Sequence, residues 1–219
     1  MKKIEGKNAV DWTLPILAKE NNELNATYFL NDEYKKIEAY FKLKNAIEYI
    51  LSCSKKNMDL LDIGCGSGWH AVYLKKEGLL NNINFYGSDI SKSMCNNAKN
   101  NFPEGTFFVG DITKEHYNQK YDIIMESAVI ELVHDWKQGT LNMLKSSKEW
   151  FIAHRLFFTD KDTHIQQVTT YNNLLDIRFS LGLKDFKDVL KQENFKLVFK
   201  DVWHTGSYKM GTFVARRQK

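Results

Sequence analysis

The chain has no long apolar run. Of its 219 residues 43% are hydrophobic and 26% charged, yet nothing approaches the roughly 20 consecutive apolar residues that span a bilayer, so no membrane association is expected. Lys2 and Lys3 stand near the start with no apolar core behind them, so no signal peptide is expected either. Cysteine is scarce: Cys53, Cys65 and Cys95 are an odd, scattered set without a Cys-x-x-Cys pair. They read as free thiols of a reducing cytoplasm, with no metal site. The net charge of +4, part of it in the tail Arg216-Arg217-Gln218-Lys219, is too small to argue for nucleic acid. Repeats, low-complexity tracts and interdomain linkers are also missing, and the length suits one domain.

What is present is concentrated in Leu60-Leu61-Asp62-Ile63-Gly64-Cys65-Gly66-Ser67-Gly68. A short apolar run ends in an acid, then breaks into three glycines at alternate positions, and His70-Ala71-Val72-Tyr73-Leu74 follows as a helix start. This is the pattern of a buried strand, a tight turn and a helix N-terminus. Glycines permit φ > 0 and a close ligand approach. The free N–H groups of a first helical turn offer donors to an anion. A dinucleotide fingerprint would place its third glycine at position 69, where this chain has Trp69, and does not require an acid two residues before the first glycine. Asp-x-Gly-x-Gly-x-Gly at the end of a first strand instead resembles the first motif of the class I S-adenosylmethionine-dependent methyltransferases.

Strand and helix signals alternate after the loop, as in a parallel sheet with crossover helices. Strands are expected at 83–88, 106–110, 121–127 and 149–154, with a helix over 93–100 capped by Ser91. A helix marked by Leu183, Phe186, Val189 and Leu190 precedes strands at 195–199 and 211–215. Before the motif, Tyr34, Ile37, Phe41, Ile47 and Ile50 predict a helix over 33–51 capped by Asn31 or Asp32. Residues 157–182 read as a long, irregular polar stretch. The order matches the seven-stranded sheet of the family that the motif resembles, and the resemblance implies an α/β, Rossmann-like, doubly wound seven-stranded sheet, mostly parallel with an antiparallel last strand. The single domain of residues 1–219 then divides into an N-terminal helical cap (1–54), a cofactor-binding core (55–156), an acceptor-side insertion (157–182), and a final helix with two strands (183–219).

Asp62, Asp89 and Asp111 fall at the carboxyl ends of three successive strands, where ligands of open parallel sheets bind. Asp89 stands 21 residues after Gly68, close to the spacing of roughly 20 at which an acid reaches ribose hydroxyls. The resemblance implies S-adenosyl-L-methionine as cofactor, with Asp62 near its methionine amine and Asp111 accepting from the adenine amino group. Ile90 and Ile112 would flank the ring. Gly64, Cys65, Gly66, Gly68, Met94 and Glu126 complete the expected cofactor-binding set. A base for the acceptor is sought after strands four and five, where His134 and His154 are the candidates. His70, His116 and His204 read as ordinary surface or loop residues. Asp160-Lys161-Asp162-Thr163-His164 reads as a polar turn and not as a metal site.

The 155–178 region, with Gln166, Gln167, Tyr171 and Asn172, is expected to select the acceptor. His-Arg-Leu-Phe-Phe-Thr at 154–159, with Gln167 and Tyr171, also resembles bacterial methyltransferases of surface-polysaccharide gene clusters. Met125-Glu126-Ser127-Ala128 lacks both the Asn/Asp-Pro-Pro-aromatic motif of base-amino methyltransferases and the Pro-Cys pair of cytosine enzymes, so no nucleic-acid partner is expected. The expected activity is cytoplasmic methylation of a small-molecule acceptor, such as a sugar or nucleotide-sugar hydroxyl. The alternatives are N-methylation of an amine or protein side chain, and a non-catalytic scaffold that keeps the fold.

Overall fold

Neighbouring side chains of one strand point to opposite faces of a sheet, and the central strands here are apolar on both. Leu60, Ile123, Met125, Trp150 and Ile152 join one core cluster, while Leu61, Ile63, Ile124, Phe151 and Ala153 join another. A sheet buried on both faces must be covered by helices twice, which is the doubly wound solution. The computed structural model, which describes residues 13–54, 57–114, 116–169, 175–206 and 208–219, has this arrangement.

Strands β1 (Met58–Ile63), β2 (Ile83–Asp89), β3 (Thr106–Val109), β4 (Tyr121–Ser127) and β5 (Ser147–Thr159) pair in parallel in the order β3-β2-β1-β4-β5. β9 (Tyr208–Arg217) lies antiparallel beside β5, and β8 (Phe195–Thr205) pairs antiparallel with β9. These seven strands form the expected sheet, with β9 as its antiparallel member. Helices α2 (Glu38–Cys53), α3 (Trp69–Lys76) and α4 (Lys92–Asn101) cover one face; α5 (Trp136–Ser146) and α6 (Leu183–Gln192) cover the other.

Three expectations need correction. The stretch 157–182 is not irregular: β5 runs on to Thr159, and β6 (His164–Thr169) and β7 (Leu175–Gly182) form an antiparallel hairpin joined to its end. This brings the described strands to nine. Tyr171 and Asn172 lie outside the described residues. The helix expected over 33–51 is broken, with a single 3₁₀ turn at Glu33–Lys36 and extended backbone at Ile37 before α2 begins. Neither proposed residue caps it; Asp32 takes a left-handed φ of 55° and pairs with Lys35 at 2.9 Å. Finally, the part of the N-terminal cap before residue 33, where no individual helix was expected, contains a 16-residue helix, α1 (Pro15–Leu30), with Pro15 in its first turn. Polar contacts pin it. Asn22 Oδ1 accepts from Trp69 Nε1 at 3.1 Å and from Asn101 Nδ2 at 2.6 Å, and Asn97 Nδ2 donates to the Ala18 carbonyl at 3.3 Å.

Candidate active site

The glycine loop leaves the end of β1 with all three glycines at positive φ: 69° at Gly64, 54° at Gly66 and 78° at Gly68. Two of them also need the missing Cβ. At Gly64 a Cβ would sit 2.3 Å from Val129 Cγ2, and at Gly68 it would sit 3.0 Å from Ala98 Cβ, which lets α3 lie close against α4. The loop is fixed from β2. The Ser88 carbonyl accepts from the N–H groups of Gly64 (2.8 Å) and Cys65 (3.0 Å). Asp89 Oδ2 accepts from Gly66 N at 2.9 Å while its Oδ1 accepts from Ser91 N at 2.8 Å. One carboxylate thus ties the loop to the start of α4. Burial pushes the Asp89 pKa up, and these two backbone donors oppose that rise.

These elements open onto a cleft of about 740 Å³, within the range of roughly 300–1,000 Å³ typical of small-molecule sites. One half is formed by the glycine loop with Asp89, Ile90, Met94, Asp111 and Ile112. Ile90 is 50% exposed, an apolar side chain left half open inside a cleft. The other half is more polar and aromatic: Tyr40, His70, His134, Arg155, Phe157, Arg178 and Tyr208. Asn21 and Asn25 of α1 also line the cleft.

Of the residues expected to hold a cofactor, Gly64, Cys65, Gly66, Asp89, Ile90, Met94, Asp111 and Ile112 line the cleft. Asp111 is partly committed within its own turn, where Oδ1 accepts from the Thr113 N–H and hydroxyl and Oδ2 lies 3.0 Å from Lys114 Nζ. Those contacts lower its pKa, the Thr113 hydroxyl foremost. Gly68, Asp62 and Glu126 are not on the cleft surface. Gly68 caps α3 from beneath. Asp62 is fully buried, and its Oδ2 lies 2.9 Å from His70 Nδ1, so it reaches the cleft only through that ring. Glu126 turns the other way: its Oε2 accepts from the N–H groups of Val129 (2.9 Å) and Ile130 (3.4 Å), holding the turn after β4. Burial, then the nearby charge of Glu131, pushes the Glu126 pKa well up. Arg178 Nη1 approaches Glu131 Oε1 at 3.6 Å.

The two candidate bases separate. His134 lines the cleft. His154 does not: it is 1% exposed, and its Nδ1 lies 2.8 Å from the Thr212 hydroxyl. Burial drives its pKa well below the ordinary imidazole value. The sequence expectation of direct contact gives way to a place behind His70, whose ring centre is 6.0 Å away. The cause is a β-bulge. The β5–β9 pairing runs to Ala153↔Phe213 and resumes at Leu156↔Gly211, leaving His154 and Arg155 opposite Thr212 alone. Arg155 takes φ 56° there, and Ala128, whose N–H bonds the His154 carbonyl, takes φ 58°. Bulges of this kind re-aim side chains next to sites, and here Arg155 is a cleft residue while His154 lies buried.

His70 is the residue that sequence reading passed over as ordinary. It stands in the first turn of α3, two positions after Gly68, so the chain reversal at the loop brings it back over the end of β1. A histidine at that place behind an Asp-x-Gly-x-Gly-x-Gly motif was the available signal. At the polar turn of residues 160–164, Asp160 pairs with Lys209 and His164 Nδ1 contacts the Asp162 carbonyl.

Comparison with known proteins agrees with this geometry. A methyltransferase-domain family model matches residues 60–149. A malonyl-[acyl-carrier protein] O-methyltransferase of Acetivibrio thermocellus is 31% identical over 170 residues, covering 73% of this chain and 58% of that protein. The chain spans little more than half the length of that curated relative. Among solved structures, the amino pentose methyltransferase CalS10 of Micromonospora echinaspora, with bound S-adenosylmethionine, superposes with a TM-score of 0.65 at 12% identity, covering 87% of this chain and 97% of that one. Magnesium protoporphyrin IX methyltransferase of Synechocystis, with bound S-adenosylhomocysteine, gives 0.62 at 15% identity, with coverage of 82% and 83%. The glycine motif, the seven-stranded order with its antiparallel member and the matched domain together identify residues 60–149 as a methyltransferase domain and give the chain the fold of the class I S-adenosylmethionine-dependent methyltransferases.

Proposed function

We propose that the cleft binds S-adenosyl-L-methionine in its glycine-loop half and transfers the methyl group to an oxygen of a small polar acceptor held in the other half, such as a sugar or nucleotide-sugar hydroxyl. One observation carries the reading: Asp89 fixes the Gly66 N–H and the start of α4 while lining the cleft beside the half-open Ile90. That juxtaposition offers a carboxylate to a ribose diol and an apolar plate to an adenine. A carboxylate suits a diol because it accepts two hydrogen bonds at once. Ile112 supplies the second apolar face, and Asp111, also on the cleft wall, accepts from the adenine amino group.

The cofactor supplies an activated methyl on sulfur. The protein supplies alignment and exclusion of water, which together lower the barrier by several kcal/mol when the reacting atoms are held near attack distance. Asn21 and Asn25 bring α1 onto the cleft wall, where the helix covers part of the bound cofactor from water.

A second reading, methylation of a carboxylate, is favoured by Arg155 and Arg178 on the acceptor wall and by a relative named as a malonyl-[acyl-carrier protein] O-methyltransferase. Formation of S-adenosylhomocysteine from S-adenosylmethionine, followed across sugars, nucleotide sugars, amines and dicarboxylate half-thioesters, separates the readings. Turnover with a hydroxyl acceptor supports the first. Turnover with acids alone replaces it with the second, and turnover with amines alone overturns both.

A further inference from the structure

We propose that His70, held by the buried carboxylate of Asp62, is the general base that takes the proton from the acceptor. The inference rests on the methyl-transfer reading and adds to it that the acceptor's nucleophile carries a proton, as a hydroxyl does and a carboxylate does not.

The geometry is that of a carboxylate–imidazole pair with one member sealed and the other facing the ligand. Asp62 is fully buried at the end of β1, and its Oδ2 lies 2.9 Å from His70 Nδ1. A carboxylate is an acceptor only, so this contact places the proton of a neutral imidazole on Nδ1 and leaves Nε2 with its lone pair. Nε2 is across the ring from Asp62, and the His70 side chain, 14% exposed, lines the cleft. Sequence order and packing set it at the junction of the two halves. It follows the glycine loop by two residues, and its ring meets Tyr40 of the acceptor wall with centres 6.3 Å apart.

The groups around the ring are accounted for from each element packed against it. β1 contributes Asp62, α2 contributes Tyr40, and β5 contributes His154, with Arg155 beside both Tyr40 and His154. Tyr40 is kept protonated, its pKa pushed up to about 12 by burial first of all. His154 is kept neutral by burial. Of the groups packed on the ring, Asp62 is therefore the charge in hydrogen-bonding contact with it.

In the step, Nε2 of His70 takes the proton of the acceptor hydroxyl. The oxygen pair so released forms the bond to the methyl carbon as the carbon–sulfur bond breaks and its electron pair stays on sulfur, which becomes a neutral thioether. The imidazolium, stabilised by Asp62, passes its proton to water. A positioned base of this kind accounts for rate factors of about 10²–10⁴.

The test uses the full chain and three readouts. Nitrogen-15 spectra of the histidine rings, taken on the protein bound to S-adenosylhomocysteine, should show His70 protonated on Nδ1 when neutral. Calorimetry should give His70→Gln the wild-type affinity for S-adenosylhomocysteine, which also certifies its fold. With the hydroxyl acceptor found by the turnover screen, His70→Ala should lower kcat about 10²–10⁴-fold, lose the rise of kcat with pH, and recover part of it in added imidazole. A ring protonated on Nε2, an unchanged kcat, or a variant that loses S-adenosylhomocysteine affinity while keeping kcat at saturation overturns the assignment and makes His70 a structural or cofactor-holding residue. A wild-type protein that binds no S-adenosylhomocysteine sinks the methyl-transfer reading itself, and the base with it.

Discussion

Replacing Gly64 by alanine should damage the protein by two separable routes. Gly64 has φ +69°, where an L-residue with a Cβ is strained, and the added methyl would stand 2.3 Å from Val129 Cγ2. The left-handed conformation costs about 1–2 kcal/mol, and forcing an extra carbon into packed surroundings costs about 1–3 kcal/mol. Together they amount to about 2–5 kcal/mol, a large share of the roughly 5–15 kcal/mol by which a domain is stable. The steric part has an identifiable partner. Val129 begins the turn that Glu126 holds through the Val129 N–H, so the side chain cannot simply swing away with its backbone. Val129→Ala removes Cγ2 and leaves its Cβ 3.5 Å from the new methyl, an ordinary contact. Urea unfolding of the wild type, both single variants and the double variant gives the coupling, expected at about 1–3 kcal/mol in favour of the double variant. The φ cost should persist in both proteins that carry the Gly64→Ala substitution. A Gly64→Ala protein as stable as wild type, or a penalty untouched by Val129→Ala, would refute the reasoning.

Two other outcomes follow from single contacts. Burial keeps His154 neutral in the folded chain while the unfolded chain protonates below about pH 6.5, so the unfolded state binds more protons as pH falls and stability drops, by up to about 1.4 kcal/mol per pH unit. His154→Gln should flatten that slope between pH 6.5 and 5.5 in urea titrations, and equal slopes in both proteins would remove the burial argument. Asn22→Ala breaks the contacts to Trp69 and Asn101 that pin α1, costing about 1–3 kcal/mol in local stability. Hydrogen exchange should accelerate in residues 15–30 ahead of the sheet, and uniform acceleration everywhere would show that α1 is not a separately anchored unit.

The core of the fold was legible because its signals are local. The strand that ends at Asp62, the three glycines and the acids at 89 and 111 each follow from residues next to one another, and the strand–helix alternation is a matter of period. The bulge at His154–Arg155 was not legible, since it is a register shift between strands that meet about 60 positions apart in sequence. The same holds for the Asp62–His70 contact, which exists only once the loop has folded back. α1 escaped because its anchors are asparagine amides and carbonyls instead of an apolar stripe, with only Leu17, Ala18 and Phe29 buried. The β6–β7 hairpin was a different failure. Leu175, Ile177, Phe179 and Leu181 alternate with Asp176, Arg178 and Ser180, a period-2 signal that the polar composition of the stretch obscured.

Calorimetric titration tests most directly whether Asp89 and the glycine loop form an adenosylmethionine site. The wild type should bind S-adenosylhomocysteine with micromolar affinity and not bind NAD. Asp89→Ala, which removes the acceptor for the Gly66 and Ser91 N–H groups along with the ribose contact, should weaken that binding by about 1–3 kcal/mol or more. Binding of NAD in place of S-adenosylhomocysteine, or an affinity indifferent to Asp89→Ala, would contradict it.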